Sequence, residues 1–139
     1  MNGETDLQTL LASMQPVLHE QAFVFCSVSS DIFCGLTCTP VGFFHEPEGV
    51  TLILTQPQAS SLGLPYNGAW ACIRLTVHSA LNAVGFLAAI TARLASAGIS
   101  VNAISAYYHD HLFVPWQDRQ RTLGELEALS RSAAAQQPL

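Results

Sequence analysis

His109, Asp110 and His111 stand in a row after Tyr107 and Tyr108. A carboxylate between two imidazoles can receive a cation or shape a tight turn. On a strand, residues two apart share a face, so His109 and His111 can approach one metal, with His78 as a third ligand. No metal is assigned, because the turn would have to keep strand geometry and no carboxylate has second-shell spacing. Upstream lies the stretch His78-Ser79-Ala80-Leu81-Asn82-Ala83-Val84-Gly85-Phe86. It joins a strand pattern to a helix pattern. Gly85 there permits close approach of backbone to a ligand, and the free N–H groups of a helix start suit a carboxylate. Bland roles compete for the same residues. Asn82 suits a helix cap, Gly85 a helix-to-sheet contact, Asp110 a hairpin turn and His78 the end of a strand.

The elements that must position these groups are readable from periodicity. Ala71, Ile73, Leu75 and Val77 alternate with Trp70, Cys72, Arg74, Thr76 and His78, giving a strand with one aliphatic and one mixed face. A helix is expected from Asn82 or Ala83, with Val84, Leu87, Ile90 and Leu94 as its core stripe and Phe86 between faces. Gly98 ends it in a left-handed turn. A strand over Ser100 to Tyr107, a tight turn and a partner strand over His111 to Val114 follow. A last helix begins near Trp116. The first half reads as a short helix capped by Thr5 or Asp6, a strand over Ala22 to Val28, an irregular connection from Ser29 to Pro40, a hairpin over Val41 to Thr55, and a short helix over Gln56 to Leu62. Gly63 to Gly68 is the most linker-like stretch.

Composition excludes several classes. Half of the 139 residues are apolar and 11% are charged, with a net charge of −5 and no lysine. Such a chain can bury a core, and its low charge suggests that a partner subunit covers apolar surface. Nucleic acid is not an expected partner, since phosphate binding needs clustered Lys and Arg. Membrane insertion is not expected either, because Arg93 interrupts the longest helical apolar run well short of ~20 residues. The N-terminus lacks a positively charged leader region, so a cytoplasmic location is expected. Cys26 and Cys72 sit inside strand patterns and are expected to be buried free thiols, with Cys34 and Cys38 more exposed. No Walker, Rossmann or G-x-S-x-G signature occurs.

The order of elements folds as two copies of one unit. The expected class is α+β, two tandem ferredoxin-like βαββαβ units with antiparallel sheets and helices on one face. The expected division is a degenerate N-terminal unit over 1–65, a C-terminal unit over 66–130 and a frayed tail over 131–139. The second copy lacks an obvious last strand, which strand sharing between halves or subunits would supply.

Three stretches carry a family resemblance: Leu81 to Phe86, Leu94 to Ser100, and Ile104 to Pro115. Together they resemble an ACT domain, and more narrowly the small bacterial tandem ACT-like proteins of largely uncharacterised function. Their pattern is also similar to that of the ACT-type cytosolic arginine sensors of animals. Leu10 to Met14 and Glu46 to Leu52 extend the resemblance over nearly the whole chain. It implies a non-enzymatic regulatory module that binds a small ligand, commonly an amino acid, often between two copies, and therefore a homodimer. It places ligand contacts on the loop and first helical turn, at His78, Ser79, Asn82, Ala83, Val84, Gly85 and Phe86. The facing hairpin adds Ser105, Tyr107, His109, Asp110 and His111. No cofactor, metal or catalytic residue is implied. An Arg-Pro-Gly or Asp-x-Pro-Gly type turn, usual in ACT domains, is replaced by Ala83-Val84-Gly85. Two other readings compete: a small metal-dependent enzyme using the His and Asp cluster, and a purely structural dimerising protein.

Overall fold

The computed structural model describes residues 3–136. The elements are α1 (Leu7–Ala12), β1 (Pro16–Val28), α2 (Ser30–Cys34), β2 (Gly42–Glu46), β3 (Gly49–Thr55), α3 (Gln56–Leu62), β4 (Trp70–Leu75), α4 (Phe86–Ser96), β5 (Asn102–Ser105), β6 (Asp110–Pro115) and α5 (Arg119–Gln136). They form two compact units, one of Met1–His19 with Ala71–Leu139 and one of Glu20–Trp70. The fold is that of two tandem ferredoxin-like units. The sequence-based division and the compact units differ over where the N-terminal segment goes. Leu10, Leu11 and Met14 have their apolar partners in the second half of the chain. Strand β1 begins in one unit and passes into the other at Glu20.

In the unit Glu20–Trp70 the strand order is β2-β3-β1. Strand β3 pairs antiparallel with both neighbours, placing Phe23 opposite Thr55 and Gly42 opposite Ile53. Period-two alternation brings Val24, Cys26 and Val28 together with Val50, Leu52 and Leu54, and Ala59 of α3 closes this core. Thr55 and Gln58 form a capping box at the start of α3, and Gly63 ends the helix at a φ of +67°. The connection expected to be irregular contains α2. Its start is capped by Ser29, whose hydroxyl accepts from the Ile32 N–H.

In the other unit β6 lies between β4 and β5. Strands β5 and β6 form an antiparallel hairpin in which Asn102 faces Phe113 and Ser105 faces Asp110. The aliphatic face of β4 is buried as its alternation predicts, with Ala71, Ile73 and Leu75 packed among Leu112 and Val114 of β6. The helices supply Leu10 and Leu11 from α1, Phe86, Ile90 and Leu94 from α4, and Leu126 from α5. Arg93 of α4 pairs with Glu125 of α5 at 2.7 Å on the outer side. This pair is partly exposed, so it orients the helices more than it stabilises them.

Three expectations need correction. Helix α4 starts at Phe86 rather than at Asn82 or Ala83, because Gly85 precedes it in the left-handed region at a φ of +89°. Val84, expected in the core stripe, is consequently 83% exposed, and Phe86, expected between faces, is buried in the core instead. Helix α5 continues to Gln136 with Ala133 buried, so most of the tail expected to fray is ordered helix. Its alanines are strong helix formers and small enough for close packing; residues 137–139 lie outside the described residues. Strand β5 is confined to Asn102–Ser105, shorter than the stretch from Ser100 to Tyr107. The thiols follow expectation. Cys26 and Cys72 are buried and Cys34 is exposed. Burial pushes the Cys72 thiol up to about 11, against the opposing charge of Arg74.

Candidate functional site

The loop between β4 and α4 is held by backbone bonds from the N-terminal segment. The Glu4 N–H donates to His78 O at 2.8 Å, and the Ala80 N–H donates to Glu4 O at 2.9 Å. The loop closes on itself where the Ala83 N–H donates to Ala80 O at 3.0 Å. Gly85 then turns the chain into α4. An added Cβ would make only ordinary contact with Leu7, so the positive φ, rather than close packing, is what asks for glycine here. The first intrahelical bond of α4 runs from the Ala89 N–H to Gly85 O at 2.9 Å. No side chain caps the helix. The N–H groups of Phe86, Leu87 and Ala88 therefore have no intrahelical acceptor, and Asn82 does not act as a cap.

Asp110 lies at the start of β6 and is 4% exposed. The Ser79 hydroxyl donates to one of its carboxylate oxygens at 2.9 Å, and the Ser105 hydroxyl donates to the other at 2.6 Å. No described ion pair involves Asp110. The carboxylate thus ties the loop to the hairpin while lacking a cationic partner among the described residues. A buried carboxylate in that condition is costly, and it favours any ligand that brings a positive charge.

Ser79, Gly85, Ser105, Asp110 and the first turn of α4 enclose a cavity of about 180 Å³. Six of the expected ligand residues meet there: Ser79, Ala83, Gly85, Phe86, Ser105 and Asp110. His78, Asn82 and Tyr107 line a neighbouring cavity instead. Val84 is turned to solvent. His109 sits in the hairpin turn, where its Nδ1 lies 3.5 Å from Val77 O. His111 is half-buried on β6. Among the described residues no group of three or more His, Cys, Asp and Glu side chains is placed to hold a metal ion. Sequence reasoning missed Leu87, Ala88 and Ala106 in the first cavity and Gly3 and Thr5 in the second. Leu87 and Ala88 follow from the later start of α4. Gly3 and Thr5 are brought in by backbone pairing, which leaves no side-chain pattern.

Two ACT-domain family models match the chain, one over residues 2–71 and one over residues 69–128. The chain belongs to the ACT-domain family. A crystal structure of a Vibrio cholerae protein of unknown function, named as a possible transport protein, is 42% identical. That match covers 89% of this chain and 95% of the other, with a TM-score of 0.80. An Agrobacterium tumefaciens protein is 15% identical over 79% of this chain and 84% of its own, with a TM-score of 0.62. The regulatory subunit of aspartate kinase from Thermus flavus is 10% identical over 82% of this chain and 95% of its own, with a TM-score of 0.61. These last two likenesses establish the fold alone. No curated protein matches the chain. ACT domains as a family are regulatory modules that bind small ligands. Among the described residues, no helix is long and apolar enough to cross a membrane.

His111 gives the site's hairpin a pH dependence. Burial lowers its pKa below the usual 6.5, and the positive charges of His109 and Arg74 act in the same direction, against hydrogen bonds to the Ile104 and His109 backbone. The unfolded chain takes up this proton at a higher pH than the folded chain. Stability is therefore greatest above about 6.5 and falls as pH drops through that value. Melting temperatures measured from about pH 7.5 to about pH 5.5 are expected to fall, with a shallower fall in His111→Phe. Equal slopes in the two proteins would contradict this assignment.

Proposed function

We propose that this chain is a non-enzymatic, cytoplasmic regulatory module that binds an amino acid at the Asp110 cavity and works as a homodimer. It is read as two sequence repeats, 1–65 and 66–130, with the N-terminal helix packed in the unit of the second. The observation that carries the ligand reading is the pairing of two unmet demands around one cavity. Asp110 is a buried carboxylate without a described cationic partner, and the N–H groups of the first turn of α4 have no intrahelical acceptor. A zwitterionic head group answers both, with its ammonium at Asp110 and its carboxylate at the helix start. The cavity of about 180 Å³ has room for such a head group. The buried thiols are protonated at neutral pH, so neither Cys26 nor Cys72 supplies a ready nucleophile.

The test is thermal stabilisation by each of the twenty amino acids and the common nucleobases at millimolar concentration. Binding to the folded state alone, at a hundredfold excess over Kd, stabilises by about 2.7 kcal/mol. At least one amino acid is expected to raise the melting temperature by several degrees, and Asp110→Asn is expected to abolish the rise while remaining folded. A panel without any shift, or a full shift in Asp110→Asn, would sink the reading.

The homodimer is supported by β2, which stands at the end of the strand order. It presents Phe43 and Phe44 at 52% and 71% exposure. Phe43 packs against the rings of Phe33 and His45, an aromatic surface suited to another subunit. Light scattering at micromolar concentration is expected to give twice the chain mass, and Phe44→Glu the single mass. A wild-type monomer would count against the dimer.

A further inference from the structure

We propose that the side chain of the bound amino acid lies in the second cavity, under the N-terminal segment, and that this cavity selects an uncharged, hydrogen-bonding side chain. The proposal rests on the reading of the Asp110 cavity as the place for the head group.

The second cavity measures about 360 Å³. Ala80 and Leu81 line both cavities, so the two are neighbours across one short piece of loop. Among the described residues the polar ones that line the second are Thr5, with a hydroxyl, His78, with an imidazole, Asn82, with a carboxamide, and Tyr107, with a phenol. The His78 and Tyr108 rings lie 5.2 Å apart, and those of Tyr107 and Tyr108 lie 4.9 Å apart, so Tyr108 joins the two rings that line the cavity. Among the described residues, none that lines this cavity carries a carboxylate or guanidinium. The acidic residue of the segment, Glu4, spends its carboxylate on its own backbone, accepting from the Thr5 and Asp6 N–H groups at 3.1 and 2.9 Å. A cationic or anionic ligand side chain would lose water here without meeting an opposite charge. An amide or phenol finds both donors and acceptors among these four groups.

The N-terminal segment is seated by backbone alone. Glu4 forms a parallel bridge with Ser79. A Cβ on Gly3 would lie 2.6 Å from Ala80 N and 2.7 Å from the Ser79 carbonyl carbon. Backbone atoms cannot yield as a flexible side chain can, so any side chain at position 3 lifts the segment off the loop. Gly3→Val therefore displaces one wall of the second cavity and also loosens the loop bonds that Glu4 makes to His78 and Ala80, while its own side chain makes no contact with Asp110 or α4.

Isothermal titration of the full chain with glutamine, tyrosine, arginine, glutamate and glycine tests the proposal. Glutamine or tyrosine is expected to bind about tenfold or more tightly than arginine and glutamate. In Gly3→Val the preferred ligand is expected to lose at least about tenfold more affinity than glycine, whose own smaller loss reports the loosened loop. Tyr107→Ala, at an exposed position, is expected to weaken the preferred ligand in the same direction, and it decides between the outcomes where Gly3→Val does not fold. Absence of binding by all five overturns the head-group reading together with this one. Binding of arginine or glutamate as tight as glutamine and tyrosine, or a preference unchanged in Tyr107→Ala, overturns the side-chain cavity alone.

Discussion

Asp110 carries a negative charge into a place where water barely reaches, and two serine hydroxyls are what it finds there. Ser79 comes from the loop after β4 and Ser105 from the neighbouring strand of the hairpin. Each hydrogen bond to the ionised group is stronger than one between neutral groups. Together they fix where the loop sits relative to the hairpin, and so where the first turn of α4 points. Two hydroxyl dipoles do not cancel a full charge. The same arrangement that gives the site its shape leaves it short of a cation, and that is the physical reason for reading it as a receptor for an ammonium group.

The second constraint is Gly85. Its left-handed backbone lets the loop turn into α4 with no capping side chain, so the helix begins with uncapped donors on residues that line the cavity. A serine or aspartate cap, commoner at helix starts, would have satisfied some of these donors itself. Backbone conformation at one glycine and burial of one carboxylate thus complement each other across a few ångströms of loop. The ACT fold of the family supplies the frame. The Vibrio cholerae protein shares this fold over 95% of its own chain.

Much of this was legible in the residues. Alternation at Ala71, Ile73 and Leu75 identified the buried face of β4, and Gly98 marked the end of α4 through its need for positive φ. Six of the residues expected from the sequence to contact a ligand line one cavity, which is a matter of position and not of binding. The errors have specific causes. Helical periodicity runs backwards from Leu87 through Val84 without interruption, and periodicity carries no mark of the residue at which a backbone leaves the helical region. Gly85 held that mark, but a glycine before a helix reads equally as a close-approach residue. The tail of α5 was missed because a run of alanines shows no apolar face, although alanine favours helix and packs where larger residues cannot. The pairing of Glu4 with Ser79 uses main-chain atoms only and is invisible to any side-chain pattern.

The central claim is that the Asp110 carboxylate receives the ammonium of an amino acid. A crystal structure of the chain with the amino acid that stabilises it most tests this directly. The account predicts the ligand nitrogen at about 3 Å from an Asp110 carboxylate oxygen, with the ligand carboxylate against the N–H groups at the start of α4. A ligand seated elsewhere, with Asp110 still bonded to its two serines alone, would contradict it.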